Sequence, residues 1–502
     1  MMTEDLNNKY IELINARPLD VHTWSDYPEV NAFVNDIFQY LKSIKGNERI
    51  NKKLLKVLLL DLYVAWSCDP DLKIMFSRDN NAYKAKSRYN EIHVGKKIIQ
   101  IVDELVKEQI ILEQKGFNDR INGIGFQARL WASDNLKILF EKAKFNKFQV
   151  HNHDSREPIV LKYKNKKLKD NYKETQEVRR MRQILTDYNL LLSNTHIDIV
   201  DLDKPVVQIG EGKKAMSLQI DQRDKYVRRI FNNNRWDRGG RFYGGWWHRC
   251  PKNYRERISL DDIPGFEVDF SGLHIVILYA QAGINYWAEV NEDPYFLHGI
   301  DNIDESIDLR TSAKLLMLTA INADTEEEAF GAFRKQADKG SLEKRLTNEQ
   351  LGSLLTKLKE KHRPIAHKFA SGEGIKLMYV DSQITEKLIE KFTYDYQCPI
   401  LTVHDSYIVP WGYDKILEKN MQIAFEEVTG FSSPAVKHTT EYSDKVDNEP
   451  DQSSVTRRYK FSPSKRHRRD WEDFRSFKSK PEREKWVLEG LFGKCERVTT
   501  TD

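Results

Sequence analysis

Two carboxylates, each set at the end of a short strand-like run, restrict this chain more than any other feature. The run IPGFEVDF, ending at Phe270, alternates apolar and polar side chains as a half-buried strand does. It passes through Ser271-Gly272 into the apolar helical stretch LHIVILYAQAG, so Asp269 stands at a strand end just ahead of a helix. The run LTVHDSYIVP sets His404-Asp405-Ser406 between two further strand-type segments, 136 positions later (405 − 269). A buried carboxylate is costly unless its charge is compensated. The plain readings are a helix N-cap for Asp269 and an ordinary turn residue for Asp405. The chemical reading is that neighbouring strand ends present both to a pair of Mg²⁺ ions. Such ions favour a few carboxylates plus substrate phosphate oxygens and support phosphoryl transfer.

The sequence between the two aspartates bears on the choice. In SIDLRTSAKLLMLTAINAD, Arg310 and Lys314 are four apart and share a helix face that continues through Leu318 to Asn322, while Leu315 and Leu316 point elsewhere. A cationic stripe of this kind suits the β and γ phosphates of a nucleoside triphosphate; a solvated basic face has the same pattern. The run GIKLMYVDSQITEKLIEKF reads as an amphipathic helix carrying Asp381, Ser382 and Gln383. Upstream, FNNNRWDRGGRFYGGWWHRC gathers Arg235, Arg238, Arg241 and Arg249 with two Gly-Gly pairs and six aromatics, Tyr243 among them. Arginines bind phosphates and aromatics stack on bases. A packed hairpin is the alternative.

The remaining chain sets the organisation. Its 502 residues allow two or three domains, and 40% hydrophobic with 31% charged residues suit a globular protein with a heavily solvated surface. A net charge of +4 does not by itself announce a nucleic-acid partner. Four cysteines without a CxxC pair point to free thiols in a reducing cytoplasm. No apolar run is long enough to span a bilayer, so no membrane partner is expected. Residues 1–150 read as mainly helical. Within them, a helix from Lys96 to Gln109, two strand-like runs (IILEQKGF and FQARLWAS) and the helix DNLKILFEK resemble a winged-helix domain, with Lys96, Lys97 and Lys107 facing DNA. A generic helical module fits the same pattern. Residues 151–175 read as a basic linker. Residues 446–502 read as a basic, largely flexible tail whose Tyr459, Phe461, Trp471, Phe474 and Phe477 suit loose contact with a nucleic-acid strand.

Residues 176–445 resemble the catalytic half of the family A DNA polymerases and the related single-subunit RNA polymerases of phages and mitochondria, with four motifs in the expected order. VDFSGLHIVIL is similar to the first palm motif, RTSAKLLMLTAIN to the fingers helix, DSQITEKLIE to the polar helix before the catalytic hairpin, and LTVHDSYIV to the second palm motif. WDRGGRFYGG also resembles the template-contacting segment of the RNA enzymes. The resemblance implies an α+β right-hand fold of palm, fingers and thumb. It implies Asp269 and Asp405, with the Phe270 carbonyl, as ligands of two Mg²⁺ ions, or of Mn²⁺ in their place. Arg310 and Lys314 would bind the triphosphate, with Lys314 as proton donor to pyrophosphate. His274, Leu318, Asn322 and His404 would line the nucleotide, and Arg235, Arg238, Arg241, Tyr243 and Gln383 the template and primer.

The departures also count. His274 replaces the glutamate of the DNA enzymes, Leu318 and Asn322-Ala323 replace an aromatic and a Tyr-Gly pair, and His-Asp-Ser at 404–406 is the pattern of the RNA enzymes. The expectation is a template-directed polymerase without proofreading, leaning to DNA synthesis because a ring at 274 crowds a 2′-hydroxyl. An RNA polymerase or primase is the alternative. A DNA-binding replication initiator or regulator with a decayed palm is a second one, and a His-Asp phosphohydrolase a third. DNA template, primer or nascent strand, and nucleoside triphosphates are the implied partners, in the replication of a mobile element.

Overall fold

Helical and strand periodicities alternate through the N-terminal third, and the computed structural model folds them into one body with its own apolar core. The structure describes residues 15–119, 124–210, 216–300, 302–433, 436–438 and 461–479. Ala16–Pro18 (β1), Lys73–Phe76 (β2), Ile111–Gln114 (β3) and Ala128–Ala132 (β4) form a sheet in the order β1-β2-β4-β3, parallel only at β1–β2. Around it lie helices Pro28–Phe38 (α1), Glu48–Cys68 (α2), Lys97–Lys107 (α3) and Asp134–Glu141 (α4). Asn47 starts α2 by accepting a hydrogen bond from the Ile50 N–H, and the helix then buries an almost continuous run from Leu54 to Ala65. The expectation of a mainly helical body is thus only half of what is observed, because the short strands between the helices assemble into a sheet.

Ile159–Leu161 (β5) corrects the reading of residues 151–175 as a linker. It pairs in parallel with Val227–Phe231 (β7), which pairs with Gly239–Gly244 (β8), and its three side chains are buried. Three apolar residues among lysines carry no periodicity, so only the tertiary partner reveals the strand. The arginine- and aromatic-rich segment is this β7–β8 hairpin together with the short helical turn Trp246–Arg249. Trp246 and Trp247 are fully buried, so part of that composition is structural. Gly240, at φ +78°, lets the hairpin approach the helix Gly374–Tyr394 so closely that a Cβ there would sit 2.8 Å from the Ser382 hydroxyl.

The central sheet joins Ile197–Ile199 (β6), Ile258–Leu260 (β9), Ile263–Phe270 (β10), Leu401–Val403 (β11) and Ser406–Pro410 (β12). Its order is β6-β9-β10-β12-β11, antiparallel throughout, with Val436–His438 (β13) also on β10. Along β10, Phe266, Val268 and Phe270 are buried on one face, while Glu267 and Asp269 project from the other. Helices of this half include Gln176–Ser193 (α5), Leu273–Gln281 (α6), Leu309–Asn322 (α7), Gly374–Tyr394 (α8) and Asp414–Thr429 (α9). α8 packs against β8, α5, α6 and α9, and α9 against β10 and β12. The fold is mixed α/β, and no helix among the described residues is long and apolar enough to cross a membrane.

Buried charge joins the two bodies. Arg223 reaches Asp61 at 2.6 Å and Asp221 at 3.2 Å, and Asp61 also holds Arg17 at 2.8 Å. Lys465–Lys478 (α10) corrects the reading of the whole C-terminal segment as a flexible tail. Its Phe474 and Phe477, three apart, pack on Phe148 and Tyr27, while Arg466 and His467 close on buried Asp198 at 3.0 and 2.5 Å. The aromatics expected to touch nucleic acid are therefore used for docking. Tyr459 lies outside the described residues.

Candidate active site

Antiparallel pairing brings the two aspartates to one sheet edge. Asp269 on β10 stands opposite Ser406, the residue after Asp405, and the Phe270 N–H donates to the Asp405 carbonyl at 3.4 Å. The N-cap reading of Asp269 does not hold: Gly272 occupies that position at φ +66°, and no side chain caps α6. Asp405 does sit in a two-residue turn between β11 and β12, after His404 at φ +60°, a left-handed backbone uncommon outside glycine.

Neither carboxylate forms an ion pair or a side-chain hydrogen bond among the described residues. Burial, then the charges of Asp405 and Glu267, push Asp269 up to about 7, against the pull of Lys314 and Lys252. Asp405 is likewise raised by burial and by Asp381, partly offset by Arg241 and His274. Glu267, two residues before Asp269, shows the contrast: it receives Arg255 at 3.0 Å and the Ser406 hydroxyl at 2.7 Å. Asp381 is also compensated, by Arg241 at 2.5 Å, although its Oδ1 is a buried acceptor without a donor. Arg241 donates as well to His274 Nε2 at 2.8 Å, so the charge nearest Asp405 is already engaged. No set of three or more His, Cys, Asp or Glu side chains among the described residues is arranged to hold a metal ion.

Asp308 caps α7 by accepting from the Thr311 N–H at 3.1 Å. The helix buries Ala313, Leu316, Met317 and Ala320 and exposes Arg310, Lys314, Leu318 and Asn322, the face read from the sequence. Lys314 acts electrostatically on Asp269, so this face borders the aspartates. Arg310 is held by Asp293 at 2.7 Å. Between helix and aspartates stands Tyr295. Both cations lie 5.8 Å from its ring centroid, and burial with the charges of Asp405, Asp293 and Asp269 pushes its hydroxyl up to about 12. The Pro294 carbonyl, held by His362 Nε2 at 2.8 Å, fixes this segment.

Tyr243 on β8 lies with its ring 6.1 Å from that of His404, whose imidazole burial and Arg241 hold below its ordinary range. Gln383 is half-buried on α8, Asn322 donates to the Leu318 carbonyl at 2.8 Å, and the Phe270 ring packs on Tyr407 and Phe425. Arg235 and Arg238 both turn onto Asp237 at the hairpin tip, at 2.7 and 2.8 Å, and are not brought to the aspartates. Sequence reasoning named Asp381 without giving it a role and passed over Glu267, Lys252 and Tyr295. Asp381 stood in a run already noted as polar on an amphipathic helix; Tyr295 sits in a loop without periodicity and gave no signal.

No family model matches this chain, and no curated protein matches it. Among solved structures it is similar to the POL domain of Pol1 from M. smegmatis, solved in complex with DNA primer-template and dNTP. That likeness has a TM-score of 0.30 and 11% identity, and covers 82% of this chain and 69% of that one. At that similarity the functional reading rests on the chemistry of the site.

Proposed function

We propose that this protein is a template-directed nucleic-acid polymerase, a nucleotidyltransferase that uses two divalent cations. The observation that carries the reading is the pair Asp269–Asp405: two raised carboxylates at adjoining strand ends with no protein cation on either. Such uncompensated charge fits Mg²⁺, which takes few carboxylates and completes its shell with water and phosphate oxygens. Asp269, Asp405 and the Phe270 carbonyl would hold it, and when bound it supplies charge stabilisation at the attacking and leaving oxygens.

The chain's own residues do the rest. Arg310 exchanges Asp293 for a phosphate, and Lys314 neutralises the triphosphate and donates a proton to departing pyrophosphate. His274, held by Arg241 beside Asp405, borders the sugar and inclines the site to deoxynucleotides. Leu318 and Asn322 extend the nucleotide-facing side of α7, with His404 and Tyr243 across the cleft. The central sheet corresponds to a palm and α7 to part of the fingers. In the N-terminal body the sheet order β2-β4-β3, with the Phe117–Asp119/Ile124–Phe126 hairpin between β3 and β4, supports a winged-helix reading. Its Lys97 and Lys107 are engaged with neighbouring groups, Lys107 with Glu104 at 3.0 Å, so a DNA-binding role there is secondary to the catalytic reading.

Primer extension on a DNA template with dNTPs or NTPs tests this. Incorporation is expected, with dNTPs preferred, and Asp269→Ala and Asp405→Ala should abolish it while DNA affinity persists. A parent protein that binds DNA yet incorporates neither nucleotide supports the decayed-palm alternative instead.

A further inference from the structure

Two neighbouring arginines on β7 are treated in opposite ways. Arg229, 2% exposed, is compensated by Glu386 at 2.6 Å, by the Gly240 carbonyl at 2.9 Å and by the Ser382 hydroxyl at 3.2 Å. Arg228, pointing to the other face, is half-buried. It forms no ion pair and donates no hydrogen bond among the described residues, and its Nε is buried without an acceptor. Two more cations share its surroundings. Arg156 stacks on the Tyr226 ring at 4.4 Å and bonds Asn152, with its Nε also lacking an acceptor and no carboxylate paired to it. Lys162 follows Val160 by two positions, and its ammonium has no partner among the described residues.

Strand register puts Arg228 and Lys162 on one surface, and Arg156 joins them through its stacking on Tyr226 and its charge on Arg228. Arg228 stands opposite Tyr243, and Ile230 stands opposite Arg241 and beside Val160. Residues paired across strands share a face, so one face of the β8-β7-β5 sheet runs from Arg241 and Tyr243, at the aspartates, through Arg228 and past buried Val160 to half-buried Lys162 at its end. The cations repel one another. Arg228 is held below its ordinary range by burial and then by Arg156, against weaker pulls from Tyr226, Asp20 and Asp224. Lys162 is lowered by burial and then by Arg228 and Lys166. Half-buried cations without counter-ions are costly to the free protein, and Arg229 shows that the same strand compensates a cation where only packing is at stake.

We propose that Arg228, Lys162 and Arg156 form a phosphodiester-binding track that leads a nucleic-acid strand past this edge of the sheet to the aspartate pair. The inference deepens the polymerase reading by naming the strand contacts, in place of Arg235 and Arg238, whose charges are taken by Asp237. A strand is favoured over a free phosphate because the cations extend across two strands of the sheet and the segment ahead of β5.

The test is binding of a fluorescein-labelled single-stranded DNA oligonucleotide, followed by anisotropy over a salt series, with thermal unfolding of each free variant. Arg228→Met and Lys162→Gln should each weaken binding about tenfold, as expected for one charge-assisted contact. Each should lower the salt slope by about 0.7. Arg228→Lys should recover most of the affinity, and Arg228→Met should raise the unfolding temperature, because it removes a cation that only the ligand compensates. The same changes are expected on an Asp269→Asn background, so this result stands or falls apart from catalysis. Parental affinity and slope in Arg228→Met and Lys162→Gln overturn the proposal. So does lost affinity that comes with a lowered unfolding temperature and no rescue by lysine. Effective competition by inorganic phosphate at constant ionic strength overturns it in favour of a small-anion site.

Discussion

Replacing Asp269 with asparagine should stabilise the free protein at alkaline pH, the reverse of what removing a buried structural group does. Asp269 rises from 3.8 to about 7 on folding because burial and the charges of Asp405 and Glu267 oppose its ionisation. Between those values the folded chain keeps a proton that the unfolded chain has released, so stability falls as pH rises. The contribution of the group is complete below 3.8 and is lost as pH passes through about 7. At pH 8 the ionised carboxylate opposes folding by up to about 4 kcal/mol, at about 1.36 kcal/mol per unit, and solvent at the cleft lowers this to about 1–3 kcal/mol. Urea unfolding of the parent and of Asp269→Asn across about pH 5 to 8 reads the effect. The advantage of the variant should be smallest at the acid end and grow towards the alkaline end. Added Mg²⁺ should then stabilise the parent, with proton release, and the variant far less. A variant less stable than the parent at the alkaline end without metal, or a parent without this slope, refutes the account of two mutually repelling carboxylates in one site.

Lys314→Ala should raise the KM for nucleotide and lower kcat, together costing at least about tenfold in kcat/KM, since it removes a charge-assisted phosphate contact; steady-state incorporation measures it. Arg223→Met leaves buried Asp61 with Arg17 as its remaining cation and removes the ion pair of Asp221, and should cost about 3–5 kcal/mol in urea unfolding, whereas Arg235→Met, on an exposed pair, should change stability by under about 1 kcal/mol. The docking of α10 should depend on pH from both sides. His467 is raised by its contacts with Asp198 and Asp262, so its contribution is full below its ordinary 6.5 and lost as pH rises through the raised value. Asp198 is lowered to about 2, so its contribution is present above 3.8 and lost as pH falls through about 2. His467→Gln should flatten the alkaline limb of a stability–pH profile and also weaken the acid limb, because Asp198 then keeps Arg466 but loses the imidazole that lowers it.

What could be read from the residues was local and periodic. The alternation in FEVDF, the apolar helix after it, the cationic helix with Arg310 and Lys314 on its open face, and the strands around His404-Asp405 all stand where their spacing puts them. Each follows from a side-chain period of two or of 3.6, which a single chain carries in itself. Other features needed partners distant in sequence. Ile159–Leu161 becomes a strand only because β7 lies beside it, and α10 is docked rather than loose only because Asp198 and Phe148 receive it. Tyr295 enters the cleft from an aperiodic loop fixed by His362. Charge compensation is likewise a tertiary matter. The sequence places Arg228 beside Arg229, and Glu267 two residues before Asp269, without saying which of each pair will find a counter-ion. That choice falls to the packing of strands and helices far apart in the chain, because the energy of a buried charge is set by what surrounds it and not by its neighbours in sequence.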